Sequence, residues 1–220
     1  MRYKQGEFGQ KGFTLIELMI ATAVLSTILL LATIMMANIG RLYQKGITQA
    51  KMQQNIRAIN DDIAEQLKLN SGPATHTYTD NSNPNPANPQ AWCIGTTRYT
   101  YIEHVRPSDT GYKHILWRDF IPPGTCKPAR LTQVNPSQAL VAGDVAGTDG
   151  TELLTTKSRI SHFTIAQSNS SFDIAIAIAY GDDELLQDPN GDNPRCLGGS
   201  GGEFCATAEL STRVVKRVTD

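Results

Sequence analysis

The sequence lacks an excess of charge of either sign, and it lacks any dense basic segment. Its 20 Lys and Arg residues balance 21 Asp and Glu residues, so the net charge at pH 7 is −1. Nucleic-acid-binding domains concentrate positive charge to neutralise phosphates, so this composition gives no electrostatic evidence for a nucleic-acid partner. Much of the apolar content lies near the N-terminus, and the remainder is rich in Gly, Pro, Asn, Ser and Thr, which favours short strands and turns.

Signatures of catalysis are also scarce. The four histidines, His76, His104, His114 and His162, are scattered along the chain, mostly in predicted strands or loops. The glycine-rich stretch Gly198-Gly-Ser-Gly-Gly202 contains no lysine, so it does not have the pattern of a phosphate-binding loop. We therefore predict no catalytic residues and a chain that is not an enzyme, and we expect Trp92 and Trp117 to be core residues.

An uncharged segment near the N-terminus predicts a membrane helix. No residue from Leu18 to Ala37 is charged, and at about 1.5 Å per residue this stretch gives roughly 30 Å of helix, the thickness of one bilayer core. We predict a transmembrane helix over residues 13–39, with the basic residues 1–12 in the cytoplasm and the rest outside. The run is too long for an ordinary secretory signal, and its Ala-x-Ala triplet lies inside it, so we expect the helix to stay attached.

The start of this segment carries a family resemblance. Lys11-Gly-Phe-Thr-Leu-Ile-Glu17, placed between a short basic leader and an apolar helix, resembles the processing site of type IV prepilins and type II secretion pseudoprepilins. The resemblance implies that residues 1–12 are a leader peptide and that a prepilin peptidase cuts between Gly12 and Phe13 on the cytoplasmic side. It also implies that the new N-terminal Phe13 is N-methylated.

The same resemblance gives a role to the one acid in the apolar run. A carboxylate inside a membrane helix is costly unless it is near the interface or paired. The resemblance implies that Glu17 pairs with the α-amine of Phe13 in a neighbouring subunit and so fixes the axial register of a filament, as a single polar group does in a coiled coil. The alternative is a side chain that only reaches the interface.

A second helical segment follows the apolar one. Residues 40–69 are polar except for one stripe with steps of three and four, which is one face of a helix: Met52, Ile56, Ile59, Ile63 and Leu67. We predict an amphipathic continuation of the helix that packs this stripe against a sheet. It should end near Asn70-Ser-Gly72-Pro73.

The rest of the chain predicts a loop and then a β-rich head. Three prolines, Pro84, Pro86 and Pro89, lie within six residues of the segment 70–91, so we predict that this segment is an exposed loop without regular elements, corresponding to the αβ-loop of pilins. Residues 92–220 form the predicted globular head. Its strand candidates are Thr97–Val105, His114–Arg118, Glu152–Thr156, Ile160–Ala166, Phe172–Tyr180 and Leu210–Val218.

These elements predict an α+β fold, in which the long N-terminal helix packs on a mainly antiparallel β-sheet, and the resemblance implies that it is the pilin fold. Large apolar residues alternate with Ala in Phe172–Tyr180, which indicates a central strand covered on both faces. The layout of the head is similar to that of minor pilins and pseudopilins of the PilW and GspJ type.

The four cysteines, Cys93, Cys126, Cys196 and Cys205, form no C-x-x-C pair and lie at no zinc-ligand spacing from a histidine. An even number beyond a membrane segment favours disulfides in an oxidising compartment. Sequence order favours Cys93–Cys126 and Cys196–Cys205 among the three possible pairings, and buried free thiols are the alternative.

A calcium site is a further hypothesis. Asp188, Asn190 and Asp192 have the D-x-N-x-D start of a calcium loop, and some pseudopilins hold calcium in a C-terminal loop. However, Asn193 replaces the glycine expected at the sixth position and Gly199 replaces the glutamate expected at the twelfth, which favours a plain turn-rich loop.

Together these observations predict a subunit of a type IV pilus-like filament, a minor pilin or pseudopilin more than a major subunit. Its expected partners are other pilin subunits, the prepilin peptidase, the inner-membrane assembly platform and the membrane itself. We expect it first in the cytoplasmic membrane, with its C-terminal domain outside, and then in a surface or periplasmic filament. The alternative is an uncleaved, single-pass, membrane-anchored extracytoplasmic binding protein.

Overall fold

The computed structural model of the chain describes residues 12–70, 72–78, 88–105, 115–129, 131, 150–155, 157–169, 171–189, 191, 193–199 and 201–216. The chain divides into two compact units, Met1–Tyr43 and Gln44–Asp220. The second unit contains all the strands given below.

One helix, α1 (Leu15–Leu69), covers both predicted helical segments. It ends where the Asn-Ser-Gly-Pro sequence predicts, because Asn70 donates both its backbone N–H and its side-chain Nδ2–H to the carbonyl of Gln66, at 3.0 and 2.9 Å. The predicted apolar stripe is confirmed, since its five residues are at most 3% exposed: Met52, Ile56, Ile59, Ile63 and Leu67.

Two antiparallel sheets form most of the head. The first has the order β1-β2-β3-β4-β5, with β1 at Ala74–Tyr78, β2 at Gln90–Ile94, β3 at Thr97–Tyr101, β4 at Leu116–Phe120 and β5 at Thr151–Glu152. The second has the order β10-β7-β6, with β6 at Ser158–Gln167, β7 at Ser171–Tyr180 and β10 at Ala206–Val215. Two short strands, β8 (Leu186–Gln187) and β9 (Arg195–Cys196), pair with each other. The predicted α+β layout of a long helix followed by antiparallel sheets is thus confirmed.

Two strands correct the prediction of a loop over residues 70–91. β1 lies wholly inside that range, and β2 begins at Gln90. The cluster of prolines in this range indicates a loop. However, Ala74-Thr-His-Thr-Tyr78 consists largely of residues that favour strands, and it pairs along its full length with β2. The sheet therefore begins well before residue 92.

Several predicted strands have different ends. The strand predicted over Thr97–Val105 stops at Tyr101, because the backbone then turns through His104, whose φ is 63°. The strand predicted at Glu152–Thr156 is only Thr151–Glu152, and the last described strand begins four residues before Leu210. His114 and residues 217–220 lie outside the described residues.

The core lies between the helix stripe and both sheets. The Phe and Ile residues of β7 are buried in the same cluster as the helix stripe: Phe172, Ile174, Ile176 and Ile178. As predicted, β7 is the central strand of its sheet. At about 25 cal/mol per Å² of apolar surface, burial of such side chains contributes about 1.5–3 kcal/mol each.

Polar contacts fix the helix on the first sheet. Asp62 accepts hydrogen bonds from the Tyr99 hydroxyl at 2.8 Å and from Nη1 of Arg118 at 2.5 Å. Tyr99 and Arg118 lie opposite each other on β3 and β4, so one carboxylate binds two strands at once. Burial, together with the adjacent Asp62 carboxylate, raises the pKa of Tyr99, so the hydroxyl remains a donor.

Both disulfides have the pairing that sequence order favoured. Cys93 is bonded to Cys126, and Cys196 to Cys205, with Cα–Cα distances of 6.0 and 5.7 Å. The segment after Cys126 lies over the first sheet, where Ala129 N–H donates to the Thr100 hydroxyl at 3.0 Å. The second disulfide joins the two ends of the segment that contains the glycine-rich stretch between Gly198 and Gly202.

Candidate functional site: the N-terminal assembly segment

The residues around the predicted cleavage site lie just outside the helix. Gly12, Phe13 and Thr14 have no regular secondary structure, and α1 begins at Leu15. Phe13 is 86% exposed. Peptidases act most readily on exposed segments with few backbone hydrogen bonds, so the bond between Gly12 and Phe13 is accessible in this conformation.

Thr14 and Glu17 set the start of the helix by a reciprocal arrangement known as a capping box. The Thr14 backbone N–H and hydroxyl donate to Oε2 of Glu17 at 2.9 and 2.8 Å, and the Glu17 N–H donates to Oγ1 of Thr14 at 3.3 Å. An N-terminal cap satisfies N–H groups that have no partner inside the helix. The cap therefore makes Leu15, two residues after Phe13, the first residue of the helix.

The geometry leaves part of the Glu17 carboxylate available. Both hydrogen bonds from Thr14 end on Oε2 and neither uses Oε1. A carboxylate can accept about four hydrogen bonds. Glu17 can therefore retain its cap and still accept a hydrogen bond from a cationic group of another molecule.

The apolar part of α1 exposes its large side chains. Its exposed residues include Leu18, Met19, Leu25, Leu29 and Leu31, each at least 56% exposed. The helix has an apolar window long enough to cross a membrane, with a mean hydropathy of 2.4. Exposed apolar surface of this length requires lipid or protein as its surroundings.

The few hydroxyl groups in this segment are satisfied within the helix. Thr22, Ser26, Thr27 and Thr33 each donate to a backbone carbonyl three or four residues earlier, at 2.7–3.0 Å. An unsatisfied hydroxyl in hydrocarbon would be costly, whereas these four need no external partner. The segment is thus compatible with lipid and with a bundle of other apolar helices.

Glu17 lies at the end of one apolar face of the helix. Ile20, Ala21, Val24, Leu25 and Ile28 form a shallow groove with it. These residues are three and four positions apart, which places them on one side of the helix. The small Ala21 side chain permits close approach of a second helix, which is how helices associate in a membrane.

The predicted calcium residues are only partly described by the structure. Asp188 lies in the left-handed region with φ of 55°, whereas Asn190 and Asp192 lie outside the described residues. Among the described residues no group of three His, Cys, Asp or Glu side chains has metal-site geometry. The calcium site therefore stays a prediction.

A buried arginine lies beside this loop. Arg159 is 1% exposed, and its Nη2 donates to the Gly181 carbonyl at 3.1 Å and contacts Oδ1 of Asp183 at 2.5 Å. Its Nη1 donates to the carbonyl of Pro189 at 3.3 Å. The guanidinium thus binds carbonyl and carboxylate oxygens on both sides of the 183–188 segment, which are the ligand types that a calcium ion would use.

His76 has structural surroundings. His76 packs between Tyr78 and Trp92, with ring centroids 4.6 and 4.5 Å away, and its Nε2 lies 3.0 Å from the Tyr101 hydroxyl. Burial lowers the pKa of His76, so the ring is neutral at pH 7. This aromatic cluster stabilises β1 on β2.

The structural roles of two side chains, Thr14 and Arg159, were not predicted from the sequence. Thr14 was treated as part of a motif, although T-x-x-E before an apolar run is itself the signature of a capping box. Arg159 could not be found, because nothing in the sequence shows that a charged residue at the start of a strand is buried.

Comparison with known proteins supports the assembly role of this segment. Residues 8–33 match the family model described as the prokaryotic N-terminal methylation motif, which is a prepilin-type motif. This match supports a type IV pilin-like protein whose N-terminal helix anchors in the membrane. The chain matches neither a curated protein nor a solved structure.

Proposed function

We propose that this chain is a prepilin-type subunit of a type IV pilus-like filament, cleaved by a prepilin peptidase between Gly12 and Phe13. The observation that carries the proposal is the methylation motif over residues 8–33, placed on an exposed segment that ends at a capped apolar helix. Cleavage there removes the basic leader and creates an α-amine at Phe13, which is then N-methylated.

In the membrane, the apolar part of α1 crosses the bilayer with Glu17 near its cytoplasmic end and the head outside. During assembly the helix moves from lipid into a bundle of like helices. This transfer gains little from the hydrophobic effect, because lipid and apolar side chains are similarly apolar, so packing and polar pairing decide how the helices align.

Glu17 supplies the polar pairing. In the bundle, its Oε1 accepts a hydrogen bond from the Phe13 α-amine of a neighbouring subunit while Oε2 keeps the bonds from Thr14. A shift of one helix along the other leaves both charges unpaired in apolar surroundings, which is strongly unfavourable. One axial register is therefore preferred.

The head supports a minor pilin or pseudopilin role. Its length favours a minor subunit over a major one. Its two disulfides are typical of a domain outside the cytoplasm. Its partners are other pilin subunits, the peptidase and the inner-membrane assembly platform, and its final location is a surface or periplasmic filament.

Mass spectrometry of the N-terminus of the native protein tests this function. We expect a chain that starts with N-methyl-Phe13 in cells with a prepilin peptidase and an intact Met1 in cells without one. An intact Met1 in both would contradict the proposal and favour an uncleaved anchored binding protein.

A matched pair of glycine variants makes the test specific to the cleavage site. A Cβ atom added at Gly12 or at Gly40 meets no atom within 4 Å, so neither Gly12→Leu nor Gly40→Ala should disturb the described structure. We expect Gly12→Leu to block cleavage and Gly40→Ala to leave it unchanged. Normal cleavage of Gly12→Leu would place the processing site elsewhere.

A further inference from the structure

A shallow pocket lies on the face of the second sheet opposite the core. The small residues of β7 alternate with its buried isoleucines, so Ala175 and Ala177 lie on this outer face. Ala177 pairs with His162 of β6 on one side and Glu209 of β10 on the other. A row of long, short and long side chains therefore leaves a depression above Ala177.

A β-bulge puts a hydroxyl group in this depression. The register between β6 and β7 shifts between Ile160 and His162, which makes Ser161 the extra residue. Ser161 is 1% exposed, lines the pocket, and its Oγ has no hydrogen-bond partner among the residues that the structure describes. Buried hydroxyls are nearly always hydrogen-bonded, so the Ser161 hydroxyl is available to a water molecule or to a polar ligand group that displaces it.

The rest of the described lining combines polar side chains with apolar ones such as Pro194 and Ala208. One pocket, of about 240 Å³, also contains Asn193, Arg195, Thr207 and Glu209. An adjoining pocket of about 190 Å³ shares Ala177, Asn193 and Glu209 with it and adds His162. The two together form one groove with donors, acceptors and hydroxyls along its walls and alanine side chains on its floor.

We infer that this groove binds a neutral saccharide. Sugar hydroxyls both donate and accept, so they can satisfy the Ser161 and Thr207 hydroxyls, the Asn193 amide, the Glu209 carboxylate and the Arg195 guanidinium. Among the lining residues that the structure describes, the acidic Glu209 and the basic Arg195 balance each other, which favours a neutral ligand over a polyanion. The flat alanine floor fits the C–H face of a sugar ring, for which a longer side chain at residue 177 would leave no room. This inference does not depend on the filament role.

Saturation-transfer NMR of the full chain in detergent micelles tests the inference. The probes are the methyl glycosides of glucose, galactose and N-acetylglucosamine, together with the zwitterionic dipeptide glycylglycine. We expect signal from at least one glycoside, with a dissociation constant of about 10 mM or tighter, as befits a shallow site. Signal from the dipeptide alone, or from no probe, would overturn the inference.

Two variants and a control locate the binding. Ser161→Ala and Glu209→Gln should each weaken glycoside binding about tenfold, since the first removes a hydrogen bond to the ligand and the second replaces a charged acceptor by a weaker neutral one. Ser161→Ala should not lower the melting temperature of the free protein, because it removes a hydroxyl that lacks a partner. Thr164→Ala, an exposed change on the same strand, should leave affinity unchanged. Equal affinity in all four proteins would show that the sugar binds elsewhere and would overturn the assignment.

Discussion

Arg98 and Asp119 lie opposite each other on β3 and β4 and form a two-point ion pair away from solvent. Nε donates to Oδ1 at 2.8 Å and Nη2 to Oδ2 at 2.5 Å, with side-chain exposures of 3% and 1%. The remaining Nη1 donates to the Lys127 carbonyl at 2.7 Å. One guanidinium therefore joins two strands to the segment that the Cys93–Cys126 disulfide holds over the sheet.

Removing one partner of this pair should be costly. Asp119→Ala removes the buried carboxylate that binds two nitrogens of the Arg98 guanidinium, and we expect the free energy of unfolding to fall by about 3–5 kcal/mol. Urea unfolding of the full chain, followed by tryptophan fluorescence, measures this loss. The matched control is Asp173→Ala, which breaks the exposed pair of Asp173 with Arg213. We expect a much smaller loss there, and equal losses would contradict the importance of burial.

Glu152 should give the protein a pH-dependent stability near neutrality. Its carboxylate accepts hydrogen bonds from the backbone N–H groups of Ile115, Leu116 and Leu154, at 3.0–3.1 Å. Burial nevertheless outweighs these bonds and raises the pKa of Glu152 to about 7. The folded chain therefore holds this proton more tightly than the unfolded chain does.

The sign of the effect follows from proton binding. Between the unfolded pKa of 4.5 and the folded pKa of about 7 the folded state binds more protons, so the free energy of unfolding falls as pH rises and is level above that window. Unfolding of wild type and of Glu152→Gln at pH 4 to 8 measures this contribution as a difference between the two curves. A difference that does not change with pH would contradict the assignment.

The two disulfides should contribute unequally. Cys93–Cys126 closes a loop with a sequence separation of 33, and Cys196–Cys205 one of 9. In the chain-entropy model the longer loop contributes about 4 kcal/mol and the shorter about 3 kcal/mol. Double Ala variants of each pair, compared by urea unfolding without reductant, test the order, and a larger loss for the shorter loop would contradict it.

Calcium should not be required for the 183–189 segment. The Arg159 guanidinium already places a positive charge on Asp183 and on the Gly181 and Pro189 carbonyls. We expect the same melting temperature in EDTA and in about 1 mM Ca²⁺, a concentration that fills typical extracellular sites. A rise with Ca²⁺ that is lost in Asp188→Asn would contradict this and support the D-x-N-x-D hypothesis.

Sequence periodicity was enough to predict the elements whose pattern is long. The apolar stripe of the helix, whose five residues begin at Met52 and end at Leu67, is explained by burial of one helix face. The Ile-Ala alternation of β7 is explained by full burial of its isoleucine face and partial burial of its alanine face. β1 was missed because the prolines and amides that follow it indicate a loop, although its own residues largely favour strands and pair with β2. That pairing depends on the path of the chain, which local propensity does not contain.

The roles of the functional residues were likewise predicted only in part. Gly12, Phe13 and Glu17 were predicted by resemblance to a motif. The same residues contain the T-x-x-E signature of the capping bond between Thr14 and Glu17. The burial of Arg98, Arg159 and Ser161 was not predicted, because each lies in a short stretch whose sequence pattern is typical of an exposed segment or indicates neither state. Only the packing of sheets on either side gives these polar residues their roles.

Glu17→Ala should separate processing from assembly. The change leaves Gly12 and Phe13 intact, so we expect cleavage and methylation to continue, whereas the loss of the carboxylate leaves the Phe13 amine of the neighbouring subunit unpaired in the bundle. Incorporation into sheared filaments, measured against the pool of processed subunit in the membrane, should fall at least about tenfold. Normal incorporation would contradict the pairing role.

The capping role of Glu17 requires its own control, because Glu17→Ala also removes the acceptor for Thr14. Thr14→Ala removes the hydroxyl cap but leaves the carboxylate, so it should weaken the helix start by about 1 kcal/mol and still permit assembly. If Thr14→Ala abolished incorporation as fully as Glu17→Ala, the start of the helix rather than intersubunit pairing would be the property that assembly requires. If only Glu17→Ala does so, the Glu17 carboxylate sets the register through a contact other than the cap.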